Sequence, residues 1–166
     1  RSASVLFSGH AELTIDGKGR LNIPAKYRNQ WDPMRDGAAW MCIPWPGTGL
    51  RLYTETRFNR LSAEGFGEDR LLPGEDEGEL EADLFGLAER IEMDSAGRIS
   101  LPKLHMELTG LSTDVVVLGA RTRLEVRDRA VWVASLKERF TRLPELVKRI
   151  EASKKGAPTQ GPQKDQ

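Results

Sequence analysis

The chain has 166 residues, 39% of them hydrophobic, and its 25 lysines and arginines balance its 25 aspartates and glutamates. This length supports one modest core or two small ones, and the single cysteine, Cys42, excludes an internal disulfide. No apolar run approaches the roughly 18 residues of a membrane span, and the first residues lack the apolar core of a signal peptide. We therefore expect a cytoplasmic protein with no membrane partner.

The zero net charge conceals an uneven distribution. Residues 1–70 carry a net charge of +2, residues 71–92 carry −7 and residues 93–166 carry +5. An acidic segment thus separates two mildly basic halves. Whole-chain charge does not exclude a nucleic-acid partner, although excesses this small do not demand one.

A motif that occurs twice organises the chain. Residues 7–15 alternate imperfectly between polar and apolar and predict a strand, and the motif follows it at residues 16–28. The motif returns 78 residues later with four identical residues in register. The matched pairs are Asp16 and Asp94, Gly19 and Gly97, Arg20 and Arg98, and Pro24 and Pro102.

Each part of the motif predicts a local structure. Aspartate can accept a hydrogen bond from backbone two residues on, and glycine supplies the positive φ of a tight reversal, so Asp-x-x-Gly-Arg predicts a turn. Apolar and polar residues then alternate over residues 20–23 and 98–101, which predicts two short strands that complete hairpins. Pro24 and Pro102 are expected at the first position of a helix.

Between the two motifs we predict strands at residues 38–43 and 50–53, with Trp40 and Trp45 as packing or loop residues. Thr54 is predicted as the N-cap of a helix. The acidic segment after that helix is interpreted as a solvated linker, because its carboxylates lack the glycine-spaced pattern of a cation loop. With only two histidines, the chain also offers too few donors for another metal site.

The second half repeats the first with less positive charge. Ala96, Leu104 and Met106 stand where the first copy has Lys18, Lys26 and Arg28. A strand is predicted at residues 88–93 and a helix that stops at a glycine at residues 104–110. Two further strands are predicted at 115–118 and 124–128, and they are followed by a C-terminal helix at 129–152 and a tail at 153–166. The tail is expected to be disordered because it lacks large apolar residues.

The two copies, with Leu-Arg-Leu-Tyr at 50–53 and Asp-Val-Val-Val-Leu-Gly at 114–119 in the matching flanks, resemble the SpoVT-AbrB domain. Two such domains in one chain resemble the MraZ family, from about residue 7 to residue 136. The resemblance implies a mainly β fold with short α-helices, built from two tandem SpoVT-AbrB-like domains in a ring-shaped homo-oligomer. We divide the chain into domain 1 (residues 7–63), an acidic linker and entry segment (64–87) and domain 2 (88–137). A C-terminal helix (138–152) and a disordered tail (153–166) follow.

The candidate site is the pair of turns and the helix starts that follow them. From charge alone Arg20 pairs with Asp16 and the other basic residues are solvated, since exposed ion pairs are common. The resemblance implies instead that the motif arginine faces DNA while the aspartate shapes the turn. The predicted DNA-binding residues are Lys18, Arg20, Lys26, Arg28, Arg98 and Lys103, and the turn-shaping residues are Asp16, Gly19, Asp94 and Gly97.

The function implied by the resemblance is DNA-binding transcriptional regulation in the nucleoid. The expected partner is double-stranded promoter DNA with repeated elements, at the division and cell-wall gene cluster and the protein's own promoter. Two alternatives stay open: a ring-forming structural or interaction protein, and an AbrB-type antitoxin regulator. We expect no enzyme activity and no cofactor, because the sequence holds no catalytic triad, phosphate loop or metal set.

Overall fold

A computed structural model describes residues 6–67, 71 and 73–156. The chain divides into two units, residues 1–132 and residues 133–166, and both copies of the motif lie in the first. The strands of the described residues are β1 (His10–Thr14), β2 (Arg20–Asn22), β3 (Trp40–Trp45), β4 (Gly49–Thr54), β5 (Glu89–Ile91), β6 (Arg98–Ser100), β7 (Asp114–Gly119) and β8 (Leu124–Asp128). The helices are α1 (Ala25–Arg28), α2 (Pro33–Asp36), α3 (Glu55–Phe66), α4 (Glu75–Leu87), α5 (Lys103–Thr109) and α6 (Arg129–Lys155).

The strands of the two copies are interleaved. Six strands form an antiparallel sheet in the order β1-β7-β8-β4-β3-β5, and β2 pairs with β6 in a separate two-stranded ribbon. Strand β1 of the first copy therefore lies beside β7 of the second, and β5 of the second lies beside β3 of the first. The central β4–β8 pair relates the two halves of the sheet by a pseudo-two-fold axis.

This pairing corrects the predicted hairpins. The Asp16 turn joins β1 to β2, but each of these strands pairs with a strand from the other copy. A three-residue strand has few ladder hydrogen bonds, and here its partner is supplied by the equivalent three-residue strand 78 residues away. The expected short strands are thus present, whereas the partner of each lies in the other copy.

The core lies between the ribbon and one face of the sheet. Leu21 and Ile99, which are opposite each other in the ribbon, are both 0% exposed. They pack in one apolar cluster with Trp40, Leu52 and other inward residues of the large sheet. Burial of both copies in a single cluster explains why neither short copy needs a core of its own.

Most predicted elements are confirmed, and the protein is sheet-rich with short helices. Thr54 caps α3 by accepting a hydrogen bond from the Arg57 amide, and Gly110 ends α5 in the left-handed conformation. Pro24 and Pro102 lie one position before the predicted one, at the N-cap of their helices. Trp40 is fully buried, as a packing residue should be.

The acidic segment differs from its prediction as a linker, since it contains the 13-residue helix α4. Three leucines at spacings of four and three, Leu80, Leu84 and Leu87, put an apolar stripe on this helix. Glu75, Asp76 and Glu77 occupy its first turn, where carboxylates interact favourably with the helix dipole.

The C-terminal helix begins at Arg129, as the helical pattern over residues 129–152 predicts, extends three residues further to Lys155 and runs through Pro144 without a break. The boundary of the predicted C-terminal segment 138–152 therefore falls inside this helix. Its last residue, Lys155, lies within the segment predicted as a disordered tail, and the rest of that prediction, residues 157–166, falls outside the described residues. No helix in the described part of the chain is both long enough and apolar enough to cross a membrane.

Candidate nucleic-acid interface

The first motif forms a turn closed around one carboxylate. Asp16 Oδ1 accepts hydrogen bonds from the backbone amides of Lys18 and Arg20, both at 2.9 Å, and Oδ2 accepts from Arg20 Nε at 2.8 Å. Gly19 has a φ of +76°, which favours glycine at this position. The predicted turn-shaping roles of Asp16 and Gly19 fit this geometry.

The second motif repeats that geometry atom for atom. Asp94 Oδ1 accepts from the amides of Ala96 and Arg98 at 2.9 Å, and Oδ2 accepts from Arg98 Nε at 2.8 Å. Gly97 also has a φ of +76°. The two turns are therefore equivalent in backbone and in ion pair, although their flanking charges differ.

Each carboxylate is held in its ionised form by the turn. The pKa of Asp16 lies below its ordinary value because the backbone N–H of Arg20 donates to it, with further contributions from the Arg20 side chain and the Lys18 amide. The pKa of Asp94 is lowered in the same way by Arg98 and Ala96. The ion pair between Arg20 and Asp16 that charge alone predicts is thus present. It orients the guanidinium by holding its Nε against the carboxylate.

Two reciprocal hydrogen bonds join the turns. The Ile23 amide donates to the carbonyl of Gly97 at 3.0 Å, and the Leu101 amide donates to the carbonyl of Gly19 at 2.9 Å. Between these bonds β2 and β6 run antiparallel, with Leu21 opposite Ile99. The motifs consequently form one ribbon with a turn at each end.

One face of this ribbon is polar. Side chains alternate between the faces of a strand, and the buried Leu21 and Ile99 define the inner face. The outer face carries four polar residues, namely Arg20, Asn22, Arg98 and Ser100. Arg20 lies opposite Ser100 and Arg98 lies opposite Asn22, which places the two arginines on a diagonal.

Both motif arginines remain accessible on that face. Their side chains are 28% and 34% exposed, and the contacts of Arg20 and Arg98 with their aspartates use Nε. Within the described residues the side-chain hydrogen bonds of Arg20 and Arg98 are made through Nε, and none is made through Nη1 or Nη2. Asn22 and Ser100 were not predicted as site residues, although the polar–apolar alternation of the motif strand was a signal for them.

The other predicted basic residues have different surroundings. Lys18 is exposed within the first turn, and Lys103 is exposed at the first residue of α5. Lys26 Nζ donates to the carbonyl of His10 at 3.1 Å, and its charge lies 5.0 Å from the centre of the Tyr27 ring. Lys26 is therefore tied to β1 rather than grouped with the motif arginines.

Arg28 connects the first copy to the turn of the second. Its Nε donates to the carbonyl of Ile23 at 2.7 Å. A Cβ placed on Gly97 would lie 2.4 Å from Arg28 Cδ, so the side chain of Arg28 packs directly on the second turn. In this position Arg28 contributes a contact between copies that the sequence did not predict.

A buried carboxylate on β8 was also not predicted. Glu125 is 2% exposed, and it accepts hydrogen bonds from Arg123 and Arg127 at 2.6 to 3.0 Å. Burial raises the pKa of Glu125, but the two arginines outweigh burial and lower it overall. The cluster is a compensated structural group on the sheet face opposite the core.

The histidines provide no cation site. His105 is buried; its Nδ1 lies 3.4 Å from the Cys42 sulfur and its Nε2 lies 2.6 Å from the carbonyl of Leu87. Burial raises the pKa of the Cys42 thiol to about 12. Among the residues that the structure describes, no three His, Cys, Asp or Glu side chains are grouped to hold a metal ion.

Residues 6–36 and 84–145 match a family model described as "MraZ protein, putative antitoxin-like". The two ranges contain both turns, both strands of the ribbon and more than half of the chain. The chain belongs to the MraZ family.

Curated relatives match most of the chain. It is 28% identical to "Transcriptional regulator MraZ" of Proteus mirabilis over 133 residues, which cover 80% of this chain and 86% of the relative. The protein of the same name from Photorhabdus laumondii is 29% identical, and the match covers 80% of this chain and 86% of that relative. The one from Coxiella burnetii is 27% identical, and the match covers 76% of this chain and 82% of that relative.

Proposed function

We propose that this protein is a DNA-binding transcriptional regulator and not an enzyme, and that the outer face of the β2–β6 ribbon is its DNA-reading surface. The relatives from three organisms carry the name of a transcriptional regulator. The observation that carries the proposal is the placement of Arg20 and Arg98 on one exposed face of a two-stranded ribbon. A ribbon of this kind fits the major groove of B-DNA.

The ribbon geometry suits base recognition by both arginines. Diagonal positions of an antiparallel pair are about 7–8 Å apart, close to the rise of two base pairs at about 3.4 Å each. Arginine can donate two hydrogen bonds to O6 and N7 of guanine. Because Asp16 and Asp94 hold the Nε edges, Nη1 and Nη2 are the nitrogens left for bases.

Positioning on the duplex is assigned to the remaining predicted cations. Lys18 and Lys103 are exposed beside the ribbon and would contact phosphates. Lys26 and Arg28 would do so only after giving up or sharing their backbone contacts, which makes them secondary contributors. The pseudo-two-fold axis would let both turns contribute, with more phosphate contacts from the first.

Several copies acting together complete the proposal. A ring-shaped homo-oligomer would present the ribbon repeatedly along one duplex, so that weak contacts add through effective concentration. The expected operator is a set of repeated elements at the division and cell-wall gene cluster and at the protein's own promoter. In this proposal the protein acts in the cytoplasm at the nucleoid, and Cys42 stays reduced and buried.

The test measures binding to a duplex from the protein's own upstream region by gel shift and fluorescence anisotropy across a salt series. Arg20→Ala and Arg98→Ala should each weaken binding by roughly 5- to 150-fold, equivalent to about 1–3 kcal/mol for a lost base contact. Arg60→Ala is the matched control, because Arg60 is an exposed arginine on α3 with an ion pair to Glu64. Light scattering and thermal melting check that every variant stays assembled and folded.

The outcome also tests the alternative of a structural protein. Failure of the wild type to bind this duplex at low salt, or equal binding by the Arg20→Ala and wild-type proteins, would overturn the DNA-reading role and favour a ring-forming structural protein. Arg20→Lys retains the charge but loses the paired donors of arginine. It should therefore keep non-specific binding while losing preference for the upstream sequence.

A further inference from the structure

An apolar groove runs across the outer face of the sheet, beside α3 and α4. It consists of two adjoining depressions of about 240 and 290 Å³ that share Ile43, Trp45 and Leu84. Phe58 and Phe85 line one depression and Leu80 lines the other. Trp45 is 39% exposed and Leu80 is 52% exposed, so the groove leaves large apolar side chains open to solvent.

One border of the groove is strongly acidic. Helix α4 supplies Leu80 and Leu84 to the lining, and Asp83 of the same helix also lines the second depression. The helix carries six carboxylates and neither lysine nor arginine. Most of it, residues 75–83, lies outside the ranges that match the family model.

Helix α6 carries an unpartnered apolar stripe. Its members follow one another at alternating spacings of three and four residues, the repeat of a helix that packs lengthwise against a partner. They are Val133, Leu136, Phe140, Leu143, Val147 and Ile150. All six are exposed, from 39% at Leu136 to 76% at Phe140.

The charge of α6 selects among possible partners for this stripe. Residues 133–155 contain seven lysines and arginines against three glutamates. Pairing of two α6 helices would bring together two segments that each carry a net charge of +4 over residues 133–155, with Lys137 and Arg139 beside the stripe and Glu151 as a flanking carboxylate. The second depression has Asp83 in its lining and the acidic helix α4 at its border, so it offers the opposite charge beside an apolar surface, whereas Arg51 lines the first depression.

We propose that the groove of one copy receives the apolar stripe of α6 from a second copy of this chain. The contact joins two different surfaces, so each copy would use its groove to bind one neighbour and its α6 to bind the other. Such a head-to-tail arrangement closes into a ring when the rotation from one copy to the next divides a full turn evenly. This interface rests on the homo-oligomer of the proposed function and names the surfaces that build it. The β2–β6 ribbon takes no part in it.

Cross-linking tests the interface on the full chain. Leu80→Cys and Phe140→Cys replace exposed residues in the groove and on the stripe, while the native Cys42 is 0% exposed. A chain with both substitutions, treated with a short bis-maleimide, should give a ladder of covalent multimers on a denaturing gel. Each single variant should stay monomeric on the gel, as should the pair Leu80→Cys with Glu138→Cys, because Glu138 is exposed on the opposite face of α6.

Every other result overturns the proposal in a defined way. Dimers from Phe140→Cys alone would show that α6 pairs with α6. A faster-migrating monomer from the double variant would show that each groove is filled by its own α6. Absence of any cross-link in a protein that light scattering finds assembled would place the interface elsewhere.

A charge reversal gives an independent readout. The combined change Glu79→Lys, Glu81→Lys and Asp83→Lys should raise the concentration needed for half-assembly at least tenfold, with unchanged circular dichroism. An unchanged assembly midpoint would remove the electrostatic basis of the proposal. A wild type that is monomeric throughout would overturn both this interface and the proposed homo-oligomer, whereas loss of DNA binding with intact assembly would affect the proposed function alone.

Discussion

The side chain of Arg28 packs on Gly97, 69 positions along the chain, and it donates through Nε to the carbonyl of Ile23. Ile23 in turn donates its amide to the carbonyl of Gly97 at 3.0 Å. Residues 23–28 of the first copy therefore support the turn of the second through the Arg28 side chain and the backbone hydrogen bond of Ile23. The absence of a Cβ at Gly97 is needed both for its left-handed φ and for this close contact.

Alanine at the two turn glycines should have unequal effects. Gly19→Ala should cost about 1–2 kcal/mol of unfolding free energy, because only the left-handed conformation opposes it and the nearest atom to the new Cβ is 3.9 Å away. Gly97→Ala should cost about 0.5–1.5 kcal/mol more, since Arg28 must move and lose a hydrogen bond. Denaturant unfolding measures both values. In an Arg28→Ala background the difference should disappear, and its persistence would contradict the Arg28 explanation.

Acid should destabilise the protein partly through Asp16 and Asp94. Both have a folded pKa below the unfolded value, because backbone amides and the motif arginine donate to the charged form. Their contribution to stability is complete above about pH 4–5, and it is lost as the pH falls through the folded pKa. Asp16→Asn and Asp94→Asn should flatten the stability profile in this window, by similar amounts because the turns are equivalent. The profile is measured by thermal melting from pH 2 to pH 7, and an unchanged slope in both variants would contradict this assignment.

Removal of the buried carboxylate on β8 should be more severe. Glu125→Gln leaves Arg123 and Arg127 without their shared counter-charge at a site where Glu125 is 2% exposed. Loss of one member of a buried ion cluster costs about 3–5 kcal/mol, so urea unfolding should show a large loss of stability at pH 7. The difference in unfolding free energy between Glu125→Gln and the wild type should shrink below about pH 4, because the wild-type carboxylate then begins to be protonated and loses its charge. A Glu125→Gln protein as stable as the wild type at neutral pH would show that the cluster adds nothing.

The unequal charge of the two turns should appear in the salt dependence of DNA binding. Lys18→Ala should lower the slope of log K against log salt by about 1, the change expected for one lost phosphate contact. Ala96→Lys places a lysine at the equivalent position of the second turn and should raise the slope by about 1. Both changes should affect all sequences alike, in contrast to Arg20→Ala. The slopes come from anisotropy titrations at four or more salt concentrations, and a change in sequence preference with Ala96→Lys would contradict a phosphate role.

Several parts of this protein could be predicted from local sequence because they depend on residues close to one another in the chain. The Asp16–Arg20 turn is closed by hydrogen bonds that span at most four residues, and its repeat at Asp94 follows the same pattern. The cap at Thr54 and the glycine stop at Gly110 are local in the same sense. The acidic helix α4 was mistaken for a linker because its charge was more conspicuous than its leucine stripe.

The sequence by itself determined the two turns, the arginine that each one orients, and the apolar alternation that buries Leu21 and Ile99. Only the tertiary structure decided which strands pair, because backbone hydrogen bonding is the same for any strand and the two copies offer nearly equivalent partners. Strands β1 and β2 pair with strands of the other copy: His10 pairs with Leu118, 108 positions away, and Arg20 pairs with Ser100, 80 positions away. This long-range choice is made by burial in one common core. That choice places Arg20 and Arg98 on one face, which is the geometry on which the proposed function depends.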